Sequence, residues 1–216
     1  MGILHEKTIP GLHEALISRL PPLDPNTNVL DIGCGSGAWL ERLSLAGFKN
    51  LHGIDQNSSA FNTTTATFIQ KNFDVEDLES EQNFGFISAI EVMEHLENPG
   101  RLLSNISRLL EPNGVFLCTT PNIHSVVCRL RFLATGKLRS FDAKGDPTHI
   151  YPILLEAWER LLPRHRLLIE SVWGYPDGGR SLISRPITRF ATGIAAKVFP
   201  KVVEGDNLCM LIRRAA

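Results

Sequence analysis

The sequence predicts an α/β fold, a mostly parallel sheet with helices on both of its faces, and two observations predict it. Short apolar runs alternate with stretches whose apolar residues recur at helical spacing, the pattern of strand–helix–strand units. The first such run, ending at Ile32, passes straight into a glycine turn, Gly33-Cys34-Gly35-Ser36-Gly37, ahead of a helical stretch. Open α/β sheets hold ligands at such turns, at the carboxyl ends of their strands.

Each element follows in order. Residues 8–20 read as a helix with Leu12, Leu16, Ile17 and Leu20 on one face, stopped by Pro21-Pro22. Residues 28–32 are a buried strand. Residues 38–46 are helical, with Leu40, Leu43 and Leu45 apolar and Gly47 as the stop. A second strand spans 51–54 and runs into Asp55. The Asn-, Ser- and Thr-rich stretch 57–67 is expected as a short polar helix. Strands follow at 67–70 and at 84–90, the latter ending against Glu91. A helix over 99–110 buries Leu102, Leu103, Ile106 and Leu109, and the turn Pro112-Asn113-Gly114 leads to a strand over 115–119. Beyond Pro121 the pattern loosens. Helices are expected over 124–134, 151–162 and 186–199, a loop over 136–147, and closing strands over 167–173 and 207–212. With 216 residues the chain suits one domain with an elaborated end. Residues 1–121 are expected to form a ligand-binding half around the glycine turn and 122–216 a second half of lid and closing strands.

Composition narrows the function. Apolar residues make up 43% and charged residues 21%, enough core and too little charge for wholesale disorder. No apolar run approaches the ~20 residues of a membrane span. The first eleven residues carry His5, Glu6 and Lys7 and lack a signal-peptide core. Glu6 stands where a myristoylation site needs Ser or Thr. A cytoplasmic protein is expected. The four cysteines form no CxxC pair and the seven histidines show no ligand spacing, so neither a disulfide framework nor a metal is expected. A net charge of −1 gives no case for nucleic acid. The charge is unevenly spread: residues 1–128 carry 7 Lys and Arg against 15 Asp and Glu, and residues 129–216 carry 15 against 8. Basic and apolar residues mix over 129–139 and 186–201. These segments are either amphipathic helices covering the sheet edge, or a lid that admits a lipid-like acceptor or rests on an anionic membrane surface.

The glycine turn suits two cofactor classes. Gly33-Cys34-Gly35-Ser36-Gly37-Ala38 fits the loose dinucleotide pattern, and Asp55 follows at the spacing of a ribose-binding acid, so an NAD-dependent oxidoreductase is the alternative reading. The acids separate the two. Asp31, Asp55, Asp74 and Glu91 all lie at or just past strand ends, and a pyrophosphate there would be repelled. Two unit charges ~4 Å apart at an effective dielectric of ~20 interact by about 4 kcal/mol. No Lys or Arg occurs between Val29 and Leu40 to serve a phosphate. S-adenosylmethionine has no phosphate. It carries a positive sulfonium and ammonium and a ribose diol that suits a carboxylate acceptor.

At this point a resemblance appears. Val29-Leu30-Asp31-Ile32-Gly33-Cys34-Gly35-Ser36-Gly37 resembles motif I of class I S-adenosylmethionine-dependent methyltransferases, and Gly53-Ile54-Asp55 their acidic second-strand motif. Glu91-Val92-Met93-Glu94-His95-Leu96-Glu97-Asn98-Pro99 is similar to the motif after the fourth strand in methyltransferases related to ubiquinone biosynthesis. Leu110-Glu111-Pro112-Asn113-Gly114-Val115-Phe116 resembles the turn before their fifth strand, and Asp146-Pro147-Thr148-His149-Ile150 a later segment. The resemblance implies a Rossmann-like, seven-stranded, mostly parallel sheet and S-adenosylmethionine as cofactor. It implies that the backbone of Gly33, Cys34, Gly35 and Gly37 cradles the methionine moiety and that Asp31 orients the ammonium. Asp55 would take the ribose hydroxyls with Gln56 beside the adenine, Asp74 would accept from the adenine amino group with Val75 packed nearby, and Ile90 and Glu91 would lie near the sulfonium. After Asp55 the chain departs from the pattern, where the usual second helix is short and polar.

His95 and His149 are the candidate general bases toward an acceptor hydroxyl; the competing reading makes them capping or core histidines. Glu94 and Glu97 read as exposed charges. The expected reaction is methyl transfer to a small-molecule, lipid or glycan acceptor, with oxygen favoured. A non-catalytic partner protein that binds S-adenosylmethionine is the other alternative.

Overall fold

Alternation along the central strands builds two cores, one on each face of a sheet. A computed structural model describes residues 4–177 and 202–215. The strands are β1 (Asn28–Ile32), β2 (Asn50–Asp55), β3 (Thr67–Gln70), β4 (Phe84–Ile90), β5 (Leu110–Pro121), β6 (Leu167–Tyr175) and β7 (Asn207–Arg214), and the helices are α1 (Leu12–Ser18), α2 (Ala38–Leu45), α3 (Pro99–Leu109), α4 (Val126–Thr135) and α5 (Leu155–Leu161). The sheet runs β3-β2-β1-β4-β5-β7-β6. β1 to β5 pair in parallel, and β7 inserts antiparallel to both β5 and β6.

Val29, Phe86, Val115 and Leu117 point to one face, where α1 and α2 cover them with Leu12, Leu16, Trp39, Leu40 and Leu43. Leu30, Ile32, Ile87 and Phe116 point to the other, under Leu102, Leu103 and Ile106 of α3 and Trp158 of α5. Each fully buried leucine or phenylalanine side chain contributes about 1.5–3 kcal/mol. α3 has a well-made start: Pro99 opens it, and the Asn98 side chain accepts from the Arg101 amide at 3.1 Å.

β1, β3 and β4 fall where the pattern places them. Four expectations need correction or limit. α1 begins at Leu12 rather than residue 8, because Pro10 precedes it and Gly11 sits at φ 83. No helix forms over 57–67. Only a 3-10 turn, Ser58–Ala60, forms there, capped by the Asn57 side chain, and both Thr63 and Thr65 turn their hydroxyls to Glu41 Oε2 at 2.6 and 3.0 Å. Side chains of this kind offer the backbone partners outside a helix. α5 begins at Leu155 rather than 151, because the amides of Ile150 and Tyr151 are both held by the Glu94 carbonyl at 2.9 Å. The helix expected over 186–199 lies outside the described residues. Among the described residues no helix is long and apolar enough to cross a membrane.

Candidate active site

Where β1 and β4 lie side by side, the strand order reverses, and their connections leave in opposite directions. Ligands of open α/β sheets sit in the crevice this leaves. The glycine turn after β1 borders it. Gly33 has φ 73, and a Cβ there would come within 2.5 Å of Val92 Cγ2; Gly37 has φ 83 and a Cβ would strike Thr63. Both positions demand glycine. Gly35, at φ 51, differs: a Cβ would meet nothing within 4 Å, so its surroundings are open. The turn is held from below. The amides of Gly33 and Cys34 both donate to the Ile54 carbonyl, that of Gly37 to the Cys34 carbonyl, and that of Gly35 to Asp55 Oδ2 at 2.9 Å.

The crevice is a cavity of about 760 Å³. Asp31, Gly33, Cys34, Gly35, Asp55, Gln56, Asp74, Ile90, Glu91, His95 and His149 border it. Two residues predicted for the site do not. Gly37 lies behind the turn, where its role is conformational. Val75 is 61% exposed, away from the cavity, and its carbonyl accepts from Arg101.

The four strand-end acids do share one cleft, each held differently. Asp31 is buried; Ser88, its register partner on β4, donates to it at 2.7 Å, and the Trp39 indole donates to Ser88 at 3.0 Å. Burial pushes the Asp31 pKa up to about 7, the Ser88 hydrogen bond opposes this, and the Asp55 charge adds to it. Asp55 accepts from the amides of Gly35 and Asn57, both at 2.9 Å. Asp74 accepts from the amides of Glu97 and Asn98 at 3.1 and 3.2 Å, tying the segment after β4 to the cavity wall. Glu91 takes the left-handed conformation, φ 54, uncommon for a residue with a side chain. Thr119 donates to its carboxyl at 2.8 Å, and burial raises its pKa.

The far side of the cavity holds the histidines. Their rings stack edge to face, centroids 4.7 Å apart. His95 Nδ1 faces the Thr148 carbonyl at 3.2 Å and the Thr148 hydroxyl at 2.8 Å, and that hydroxyl lies 2.6 Å from Asp146 Oδ1, to which it donates. His149 Nδ1 faces the Ser140 carbonyl at 3.0 Å. Carbonyls only accept, so each neutral ring carries its proton on Nδ1 and presents Nε2 as an acceptor. Burial lowers the His95 pKa, and the neighbouring His149 lowers it further, which keeps the ring neutral near pH 7.

Glu94 overturns its sequence reading. It is wholly buried, not exposed, and the hydrogen bonds that its own amide and the Thr120 hydroxyl offer its carboxyl are poorly made. Burial, with the Glu91 charge second, raises its pKa well above the usual carboxyl range. Glu97 is exposed as expected. Glu94, His95 and His149 each bring one donor atom within 4.8 Å of the other two. Two imidazole nitrogens and a carboxylate are a donor set a divalent cation accepts, although the spacing of histidines along the chain gives no sign of one. Ser88 and Thr148 were also missed. Ser88 had a usable signal: it is the polar residue inside an apolar strand that pairs with β1.

Comparison with known proteins agrees with this geometry. A model of the methyltransferase domain family matches residues 5–172. A ubiquinone biosynthesis O-methyltransferase of Rickettsia bellii is 28% identical over 155 residues, covering 68% of this chain and 63% of the relative. The mitochondrial ubiquinone biosynthesis O-methyltransferase of Dictyostelium discoideum is 29% identical over 132 residues, covering 51% and 41%. The chain therefore spans less than two thirds of the length of these relatives. Among solved structures, an S-adenosylmethionine-dependent methyltransferase of Archaeoglobus fulgidus superposes with a TM-score of 0.67 at 18% identity over 94% of this chain and 92% of that one. The [4+2]-cyclase SpnF superposes with a TM-score of 0.62 at 15% identity over 95% and 81%, so the fold alone does not fix the reaction. This chain belongs to the methyltransferase domain family. Its sheet is that of the class I S-adenosylmethionine-dependent methyltransferases.

Proposed function

We propose that this chain transfers a methyl group from S-adenosylmethionine to an oxygen of a small-molecule acceptor. The observation that carries the reading is the gathering of Asp31, Asp55, Asp74 and Glu91 around one cavity beside the open flank of Gly35. That cavity fits a phosphate-free nucleoside with two positive groups. It does not fit a pyrophosphate, which disfavours the oxidoreductase. The relatives named for ubiquinone biosynthesis support oxygen as the methylated atom.

The residues divide the work. Asp31 pairs with the cofactor ammonium. Asp55 accepts from the ribose hydroxyls with Gln56 beside the base, and Asp74 keeps lone pairs for the adenine amino group. Ile90 and Glu91 border the reacting end. The cofactor supplies an electrophilic methyl on a sulfonium, whose sulfur takes the bonding pair as the methyl leaves. The protein aligns the acceptor oxygen with that methyl, and alignment can supply ~7–11 kcal/mol of the barrier. The acceptor hydroxyl proton goes to His95 Nε2, with His149 beside it.

A second reading of the acceptor side rests on the donor triad of Glu94, His95 and His149. A divalent cation held there would promote loss of the hydroxyl proton in place of a histidine base. A lipid-like acceptor is the narrower reading of substrate. α4 leaves Phe132 and Leu133 exposed at 51% and 79% between basic residues, which suits peripheral contact with an anionic membrane, although Arg131 pairs with Asp142 and Arg139 with Asp206. In this scheme residues 1–121 hold the cofactor and 122–216 the acceptor.

Calorimetric titration with S-adenosylhomocysteine tests the cofactor reading, and absence of binding at millimolar ligand would end it. Labelled S-adenosylmethionine with fractionated cell extract then tests turnover. Binding without any labelled product would favour a non-catalytic partner protein. The same assay with and without a chelator separates histidine base from cation.

A further inference from the structure

His95 can serve the acceptor wall in only one of its two neutral forms. A histidine base and a histidine that holds a cation both need a lone pair on Nε2, so the ring proton must sit on Nδ1. Nδ1 faces two oxygens, both from Thr148: the carbonyl at 3.2 Å and the hydroxyl at 2.8 Å. The two are not equivalent. The carbonyl can only accept. The hydroxyl can accept from an Nδ1–H or donate to a bare Nδ1, and a donating hydroxyl would favour the ring with its proton on Nε2.

Asp146 removes that freedom. Its Oδ1 accepts from the Thr148 hydroxyl at 2.6 Å and from the Thr148 amide at 2.9 Å. Those hydrogen bonds hold its pKa below the ordinary carboxyl value, so near neutrality it is a carboxylate, which only accepts. The hydroxyl proton is therefore committed to Asp146, and the hydroxyl oxygen turns lone pairs to His95. The same segment is docked by other bonds too, because the amides of Ile150 and Tyr151 donate to the Glu94 carbonyl, both at 2.9 Å. His149 supplies a contrast: its Nδ1 faces the Ser140 carbonyl at 3.0 Å, a partner with no second role to take.

We infer that Asp146, acting through the Thr148 hydroxyl, is a positioning residue that fixes His95 as its Nδ1–H tautomer and keeps Nε2 free for the acceptor. The inference rests on the acceptor-side role given to His95 above. It requires no contact between Asp146 and the acceptor, since the carboxylate acts only on the direction of one hydroxyl.

Nitrogen NMR of the full chain, labelled in its histidine rings and ligand-free at alkaline pH, tests this, because protonated and bare ring nitrogens resonate apart. The His95 signals are those lost in His95→Gln. The parent protein should show His95 as Nδ1–H. Asp146→Ala frees the hydroxyl to donate, and part of the His95 population should move to Nε2–H. Turnover should fall about tenfold, equivalent to about 1.4 kcal/mol. Adding Thr148→Val to Asp146→Ala removes the hydroxyl and leaves the carbonyl, so the Nδ1–H pattern and most of the turnover should return. A carboxylate that merely holds the loop in place predicts no such recovery. His149 should keep its pattern throughout. An Nε2–H ring in the parent, an unchanged His95 pattern in Asp146→Ala, or a change that the double variant fails to reverse would overturn the assignment. The tautomers are read without cofactor, so failure of the parent to bind S-adenosylhomocysteine would overturn the methyl-transfer reading separately.

Discussion

The two walls of the cavity are finished to different degrees. Beside the glycine turn the acids already have partners inside the protein, although Thr8 Oγ1 and His13 Nδ1 on the same wall have no hydrogen-bond partner. The amides of Gly33, Cys34, Gly35 and Gly37 are bonded, Asp31 is held through Ser88 to Trp39, and Asp55 and Asp74 each accept two amides. On the acceptor side valences are left open. His95 and His149, when neutral, each present an Nε2 acceptor, and Glu94 lies buried outside the cavity lining with a carboxyl oxygen within 4.8 Å of donor atoms on both rings. A preorganised wall suits a ligand that is the same in every turnover, because nothing must be reordered on binding. An unfinished wall suits a proton, a cation or an acceptor hydroxyl, which completes it only when the reaction is set up.

Substitutions can break this contrast. The largest effect is expected at the acceptor wall. His95→Gln should lower turnover by about 10²–10⁴ and leave S-adenosylhomocysteine affinity unchanged, as initial rates and calorimetry would show. A parallel loss of affinity would mean that the two walls are not separate. Next comes Asp55→Ala on the cofactor wall. Removing an acceptor for two hydroxyls should weaken S-adenosylhomocysteine about 100-fold, at roughly 1.5–3 kcal/mol for a hydrogen bond to a charged group, while the circular dichroism spectrum stays native. Unchanged affinity would remove Asp55 from the site.

Asp31 gives a smaller, pH-dependent effect. Its pKa of about 7 means that the carboxyl is neutral below that pH and charged above it. Cofactor affinity should therefore rise several-fold between pH 6 and pH 8, and Asp31→Asn should flatten the profile. The same shift has a stability consequence. The folded-state pKa lies above the ordinary value of 3.8, so the folded protein holds this proton more tightly than the unfolded chain. Stability from this group is full below pH 4 and is lost as pH rises toward 7. Asp31→Asn should accordingly raise the melting temperature of the ligand-free protein at pH 8 relative to the parent, and not at pH 4.

The smallest stability effect is expected at Glu94. Burial favours its uncharged form, so Glu94→Gln, which keeps the shape, should change stability by less than ~1 kcal/mol. If the acceptor wall takes a cation, the same substitution should abolish any stimulation of turnover by added divalent metal. Stimulation that survives it would assign the proton to the histidines.

The sequence by itself determined the sheet and most of the wall proposed for the cofactor. Apolar runs ending in Asp31, Asp55 and Glu91 are local patterns, and local patterns set both strand placement and which residues emerge at a strand's carboxyl end. The helix expected over 57–67 gave way partly for a local reason, the Asn57 cap on a 3-10 turn, and partly for a tertiary one, the turn of Thr63 and Thr65 toward Glu41 on α2. Only the tertiary structure decided the acceptor wall. Glu94 sits among Glu91 and Glu97 and looks like one charge in an exposed run. It is buried because the segment carrying Ile150 and Tyr151 docks onto its carbonyl, and His149 meets His95 by the same docking. Contacts between residues so distant in the chain leave no periodicity along it, since their cost is loop closure and their return is packing, and both exist only once the chain has folded.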